Sequence, residues 1–192
     1  MTGLGRWFVL GAVCGVLAAA PVQAEPDRPP EYRGNGTVQV AFPPWDDAEG
    51  LVVAAIRDAR RQILVQAFSF TSRKIAHALI EAHRRGVTVQ ITADREQTFS
   101  GESTRIPDLA AAGIPIWLEV RYVAAHSKTM IIDPDATDPV LITGSYNWTW
   151  SAQHRNAENL LILRGNRDLT RAYLGNWERR RADALPYGKA PR

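Results

Sequence analysis

Ile63 to Phe70 is a continuous β-prone run, apolar apart from Gln66 and Ser69, and it restricts the fold more than any other stretch of the chain. A strand without polar alternation has to be buried on both faces, inside a sheet that helices cover. The following segments fit that demand. Ser72 to Arg85 reads as a helix stopped by Gly86, and Val87 to Thr92 reads as a second strand. After a loop around Phe99 to Glu102, a short helix ends near Ala112, and Ile114 to Leu118 is again strand-like. This alternation predicts parallel βαβ units.

The flanks complete the expectation. Val38 to Phe42 alternates as a strand that Pro43-Pro44 ends, and Asp46 or Asp47 can cap a helix running to about Arg61. Thr129 to Ile132, Val140 to Thr143 and Leu160 to Leu163 are strand candidates separated by turns. A last helix, Arg167 to Asp183, points Leu169, Tyr173, Leu174 and Trp177 inward. The expected fold is α/β: a mixed, largely parallel sheet sandwiched between helices, in one domain over residues 38–184. Residues 25–37, rich in Pro, Gly and charge, read as a flexible lead-in, and 185–192 as a C-terminal tail.

Residues 1–24 belong to a different class of segment. Arg6 precedes a mostly apolar stretch from Trp7 to Ala20, and Val22-Gln23-Ala24 reads as a cleavage site. The stretch is short of the roughly 20 apolar residues of a spanning helix. A cleaved export signal is therefore preferred to an uncleaved anchor, and the expected location is the periplasm or the outside of the cell. Cys14 lies inside this segment, so the remaining 168 residues contain no cysteine for a disulfide or a thiolate metal site. Losing Arg6 leaves 22 Lys+Arg against 20 Asp+Glu, a mild bias. From Arg164 to Arg192, however, eight basic residues face three acidic ones. Such a segment suits a polyanion or an anionic surface, and equally an exposed basic helix face.

The chemistry concentrates in two short elements. His126 and Lys128 stand two apart at the entrance to a strand, so both side chains share a face. Gly144-Ser145-Tyr146-Asn147 ends another strand in a Gly turn and offers a hydroxyl and an amide, also two apart. Lys128, Ser145 and Asn147 can donate to the non-bridging oxygens of a phosphodiester, where charge gathers in the transition state. An imidazole at His126 can attack phosphorus or carry a proton near neutral pH.

The pattern His126-x-Lys128-x4-Asp133 followed by Gly144-Ser145-x-Asn147 resembles the signature of the phospholipase D superfamily. Gln66-Ala67-Phe68-Ser69-Phe70-Thr71-Ser72, Ala78-Leu79 and Arg85-Gly86-Val87 are similar to its small bacterial endonuclease branch. The resemblance spans about residues 38 to 180. One departure is the ten residues from Pro134 to Thr143, longer than the family spacing, which read as an extended hairpin tip.

The resemblance implies a metal-independent phosphodiesterase with no cofactor, a nuclease of DNA or RNA. Members of this kind use two motifs, and this chain carries one, so a homodimer is implied with both motifs at a two-fold axis. One His126 then forms a phosphohistidine while the partner's His126 protonates the leaving group. Glu158 occupies the place of the carboxylate that orients the histidine, within or across subunits. Asp133 and Gly144 support the motif. Two rival readings remain at this stage. One is hydrolysis of phospholipid diesters, disfavoured because no basic helix with a strongly apolar face is evident and no stable membrane association is expected after signal cleavage. The other is a non-catalytic nucleic-acid-binding protein. Trp148 and Trp150 offer stacking or packing surfaces, His154 lies near the motif, and Asp94 to Glu96 follow a strand end with a surface loop as the default.

Overall fold

A computed structural model describes residues 28–100 and 103–190, with one compact domain starting at Tyr32. The expected signal segment lies outside the described residues. In chain order the elements are β1 (Thr37–Ala41), α1 (Ala48–Asp58), β2 (Gln62–Ala67), α2 (Arg73–Arg84), β3 (Thr88–Asp94), α3 (Arg95–Ser100), α4 (Ile106–Ala111), β4 (Ile116–Glu119), β5 (Thr129–Ile132), β6 (Val140–Gly144), α5 (Trp150–His154), β7 (Leu160–Arg164), α6 (Arg167–Ala182) and β8 (Leu185–Pro186). The strands form a single sheet ordered β1-β7-β6-β5-β2-β3-β4-β8.

The mixed sheet between helices is as expected, but its parallel share is smaller. Only β2–β3 and β3–β4 pair in parallel, and the other neighbours are antiparallel. The reason is the length of the connections. A parallel return needs a crossover of a dozen residues or more, which α2 and the α3–α4 segment provide. From β5 to β7 the connections are a turn and the one-turn helix α5, so β6 reverses on β5 and β7 on β6, while β1 and β8 add antiparallel at the two edges.

The continuous apolar run behaves as its composition demands. Ile63, Val65 and Ala67 pack toward Val52 and Ile56 of α1 and Ile75 and Leu79 of α2. Leu64, on the opposite face, joins Ile131, Leu141 and Trp177 of α6. Local chemistry sets the helix starts. The Asp47 side chain accepts from Gly50 N at 2.8 Å, and Ser72 Oγ accepts from Ile75 N at 3.1 Å. Asn166 caps α6 through Leu169 N at 3.1 Å. Gly86, at φ 92°, ends α2 as expected.

Three features depart from the sequence reading. The segment after β3 is helical from Arg95, because Asp94 accepts from Gln97 N at 2.8 Å and caps it. Thr149 likewise starts α5 by accepting from Ala152 N at 3.1 Å. Residues 185–186, expected in a tail, pair with Trp117 and Leu118 as an edge strand, and Tyr187–Lys189 make a 3-10 turn. Among the described residues no helix is long and apolar enough to cross a membrane.

Candidate active site

The motif residues converge at one end of the sheet. Lys128 sits one residue before β5, and its ammonium lies 2.8 Å from His126 Nδ1 and 2.6 Å from the His126 carbonyl oxygen. The Phe68 ring forms the floor, 4.6 Å from Lys128 Nζ and 4.2 Å from the imidazole centroid. His126 remains exposed, whereas Lys128 is only 5% exposed. Burial pushes the Lys128 ammonium down to about 8, while the carboxylates of Glu158 and Asp94 pull it the other way. A charged Lys128 donating to Nδ1 puts the proton of a neutral His126 on Nε2, the nitrogen left to face substrate.

The second element is braced by β7. Gly144 adopts φ 140°, and a Cβ there would come within 2.3 Å of the Asn159 carbonyl oxygen. Only glycine allows this approach. Ser145 Oγ donates to Glu158 Oε2 at 2.5 Å and accepts from Asn159 N at 3.0 Å. Its one proton is therefore directed at Glu158, so Ser145 links the turn to that carboxylate in this conformation. Glu158 is completed by Asn156 Nδ2 at 3.0 Å. Its hydrogen bonds go to Ser145 and Asn156, and it reaches Lys128 of its own chain through charge.

Asn147 is half-buried, and its Oδ1 is buried without a hydrogen-bond partner. An unpaired buried carbonyl costs about 1–3 kcal/mol, and it is the amide N–H group beside it that can donate to a phosphate oxygen. The neighbouring Trp148 anchors the turn. It is fully buried, donates from Nε1 to Gln66 O at 3.0 Å, and its carbonyl accepts from Thr71 N and Ser72 N at 2.9 Å each. Trp148 is thus core, not a stacking surface. Trp150 is half exposed and packs beside His154 at 4.7 Å.

Asp133 stands at the far end of β5. Its carboxylate accepts from the backbone N–H groups of Arg60, Arg61 and Gln62, each at 2.8 Å, and its φ is 49°. The extended tip from Pro134 therefore lies at the end of the sheet opposite His126. A cavity of about 430 Å³ beside Asp133 and Asp138 lies there too, away from the motif.

Two groups under the motif loop escaped the sequence reading. Asp94, treated there as a surface-loop residue by default, is buried and accepts from Ala125 N at 2.7 Å, directly before His126. Arg180 of α6 bonds Glu119 at 2.6 Å and Ser127 Oγ at 3.0 Å, between the two motif side chains. Burial raises the Glu119 carboxyl above its ordinary value, against the pull of Arg180. The basic segment is thus partly spent inside the fold: Arg180 on Glu119, and Arg181 over the Trp117 ring at 4.3 Å.

Beside the turn that carries Asn147 is a cleft of about 760 Å³ lined by Arg73, Lys74, Arg105, Trp150 and His154, with Glu49 at its base. Glu49 is held by Lys74 at 3.0 Å and Ser72 Oγ at 2.7 Å. Among the described residues no three His, Cys, Asp or Glu side chains group as metal ligands would.

Known proteins share the family and the fold. The family model described as the cardiolipin synthase, PLD-like domain matches residues 52–179. The crystal structure of Nuc, a phospholipase D family member from Salmonella typhimurium, superposes with a TM-score of 0.74 at 31% identity, covering 80% of this chain and 99% of that one. A phospholipase D of Rickettsia prowazekii (strain Madrid E) is 36% identical over 146 residues, 74% of this chain and 67% of the relative. The mitochondrial cardiolipin hydrolase of Xenopus laevis is 30% identical over 138 residues, 72% of this chain and 63% of that protein. Fold and relatives together define a phosphodiester hydrolase, which sets aside the reading of a purely binding protein. More narrowly, the chain belongs to the phospholipase D superfamily.

Proposed function

We propose that the protein hydrolyses phosphodiester bonds of nucleic acid, DNA or RNA, as a homodimer in the periplasm or outside the cell, without a metal cofactor. The observation that carries the chemistry is the buried Lys128 ammonium 2.8 Å from His126 Nδ1. It supplies a fixed positive charge beside a nucleophile, the role that transition-state phosphoryl oxygens require. For attack the imidazole proton has to sit on Nδ1, where the partner's Glu158 accepts it while Lys128 turns to the phosphate; the free lone pair of His126 Nε2 then attacks phosphorus, a P–N bond forms, and the P–O bond to the leaving group breaks. The partner's His126 gives its proton to the departing oxygen. It then takes a proton from water, whose oxygen displaces the histidine and completes hydrolysis. Lys128 and Asn147 hold the non-bridging oxygens. Ser145 keeps Glu158 in place, and Glu158 is set to orient an imidazole across the two-fold axis.

The cleft lined by Arg73, Lys74, Arg105 and Trp150 supports nucleic acid as substrate. Cations that track phosphates and an exposed aromatic ring are the elements of a single-strand groove. The relatives named phospholipase D and cardiolipin hydrolase support a second reading, phospholipid diesters, as do the exposed Trp45 and Val123. The two separate in one assay, with single-stranded DNA, RNA and cardiolipin vesicles offered in parallel. Release of nucleotide fragments alone is expected, and release of phosphatidic acid alone would replace the nuclease reading by the lipid one.

A further inference from the structure

Asp94 and Glu119 end the neighbouring strands β3 and β4, and their parallel register sets the two directly opposite one another. Both side chains are buried. Two negative charges buried side by side need compensation. Asp94 takes it from backbone N–H groups, those of Gln97 at 2.8 Å and Ala125 at 2.7 Å. Glu119 takes it from Arg180 in the last turn of α6, whose Nε donates to Oε2 at 2.6 Å.

The guanidinium reaches further than Glu119. Its Nη1 donates to Ser127 Oγ at 3.0 Å, and its central carbon lies 4.8 Å over the Tyr122 ring. Asp183, just past α6, accepts from Arg121 at 2.6 Å. The end of α6 therefore grips residues 121, 122 and 127, and Asp94 grips Ala125 between them. Residues 120–128 belong to no helix or strand, so these contacts set their path. Ser127 is peptide-bonded to both His126 and Lys128, and its backbone cannot shift without moving theirs.

We propose that Arg180 is a positioning residue of the reaction, which through Ser127 fixes the Lys128 ammonium against His126 Nδ1, a role that rests on the reading of His126 and Lys128 as the reacting pair. The pair depends on this stretch of backbone directly, because Lys128 Nζ also donates to the His126 carbonyl oxygen at 2.6 Å. A counter-charge for Glu119 alone needs no bond to Ser127. The guanidinium fork serves both acceptors from different nitrogens, whereas a lysine ammonium offers one point of charge. Misplacing a reacting group by about 1 Å costs up to about a hundredfold in rate, so a bond one residue away from both motif side chains acts on turnover and leaves substrate binding alone.

Variants of the full chain separate positioning from folding. Ser127→Ala removes only the acceptor and leaves the Arg180–Glu119 pair intact, so it stays informative even if changes at Arg180 cost stability. Arg180→Lys keeps the charge at Glu119 but gives up the fork, and Arg179→Gln, exposed on the same helix, controls for lost charge. Each is compared with wild type by thermal melting, by kcat and KM for bis(p-nitrophenyl) phosphate, and by the imidazole ¹H–¹⁵N spectrum of His126. Ser127→Ala and Arg180→Lys should each lower kcat by roughly 10–100-fold at little changed KM, and the double variant should fall no further than the weaker single one. Neutral His126 should carry its proton on Nε2 in wild type and Arg179→Gln, and shift toward the Nδ1 form in the other two. Wild-type kcat and an unmoved His126 spectrum in Ser127→Ala would overturn the proposal and leave Arg180 as the counter-charge of Glu119. Losses that add in the double variant would overturn it too, since the two residues would then act separately. A wild type that leaves the diester uncut would count against the reacting pair itself, and the His126 spectrum would then decide the positioning alone.

Discussion

Asp133 is the motif residue whose role the structure specifies in most detail, and replacing it by Ala separates support from chemistry. Its carboxylate receives three backbone N–H groups at 2.8 Å, two of them exposed and that of Gln62 partly buried. Water can replace the carboxylate at Arg60 and Arg61, so each of those bonds contributes about 1 kcal/mol, and the Gln62 bond about 2 kcal/mol. An alanine at φ 49° adds about 1 kcal/mol of left-handed strain. The sum is about 4–5 kcal/mol, at the upper end for a single substitution. For a domain of this size, each kcal/mol lowers Tm by about 2–4 °C, so Asp133→Ala should melt roughly 10 °C or more below wild type. Asp133→Asn keeps an acceptor oxygen and tolerates the left-handed backbone, so it should fall between the two. Far-UV circular dichroism melts measure this, and cleavage at a temperature where the variant stays folded measures the chemistry. The account expects the folded variant to retain activity within about tenfold, since a support residue acts on geometry alone. A variant that melts with wild type but has lost its activity would refute the reasoning and make Asp133 a reacting group.

Three further outcomes follow from the site. Gly144→Ala drives a Cβ to 2.3 Å from the Asn159 carbonyl, so β6 and β7 must part where Ser145 meets Glu158. Stability should fall by about 1–3 kcal/mol together with activity, and normal cleavage rates would contradict the close approach. For pH, kcat/KM should decline as pH rises through about 8, where the free Lys128 loses its proton. The same depressed value implies that the unfolded chain binds more protons between about 8 and the ordinary 10.5, so this group makes stability rise with pH across that window. A flat alkaline profile would argue against a charged Lys128 in the reaction. Asp94→Asn preserves an acceptor for Ala125 N but removes a buried negative charge acting on Lys128, so the alkaline limb should move to lower pH. An unmoved limb would reduce Asp94 to a packing role.

Much of the site was legible because its residues lie close together in the chain. His126 and Lys128 meet since strand geometry places residues two apart together, and Gly144 to Asn147 form one turn. Asp133 was read as support, although its partners at Arg60 to Gln62 come from a distant loop that periodicity does not reveal. Asp94 looked like a loop residue because its partner, Ala125 N, is 31 positions away. Arg180 was counted in a basic surface run because its match to Glu119 exists only once α6 crosses the sheet. The parallel share of the sheet was overestimated for a similar reason. The apolar runs after β4 show strands, but their direction is set by connections too short to cross over.

The most direct test of the central claim is cleavage of plasmid DNA and single-stranded RNA in excess EDTA by the wild type and by His126→Asn. The account predicts fragments from the wild type and none from the variant, with a ³²P label from a 5′-phosphorylated product analogue retained on wild-type protein after acid-free denaturation. Wild-type cleavage that disappears in EDTA, or a His126→Asn protein that still cuts, would contradict a histidine-based, metal-independent phosphodiesterase.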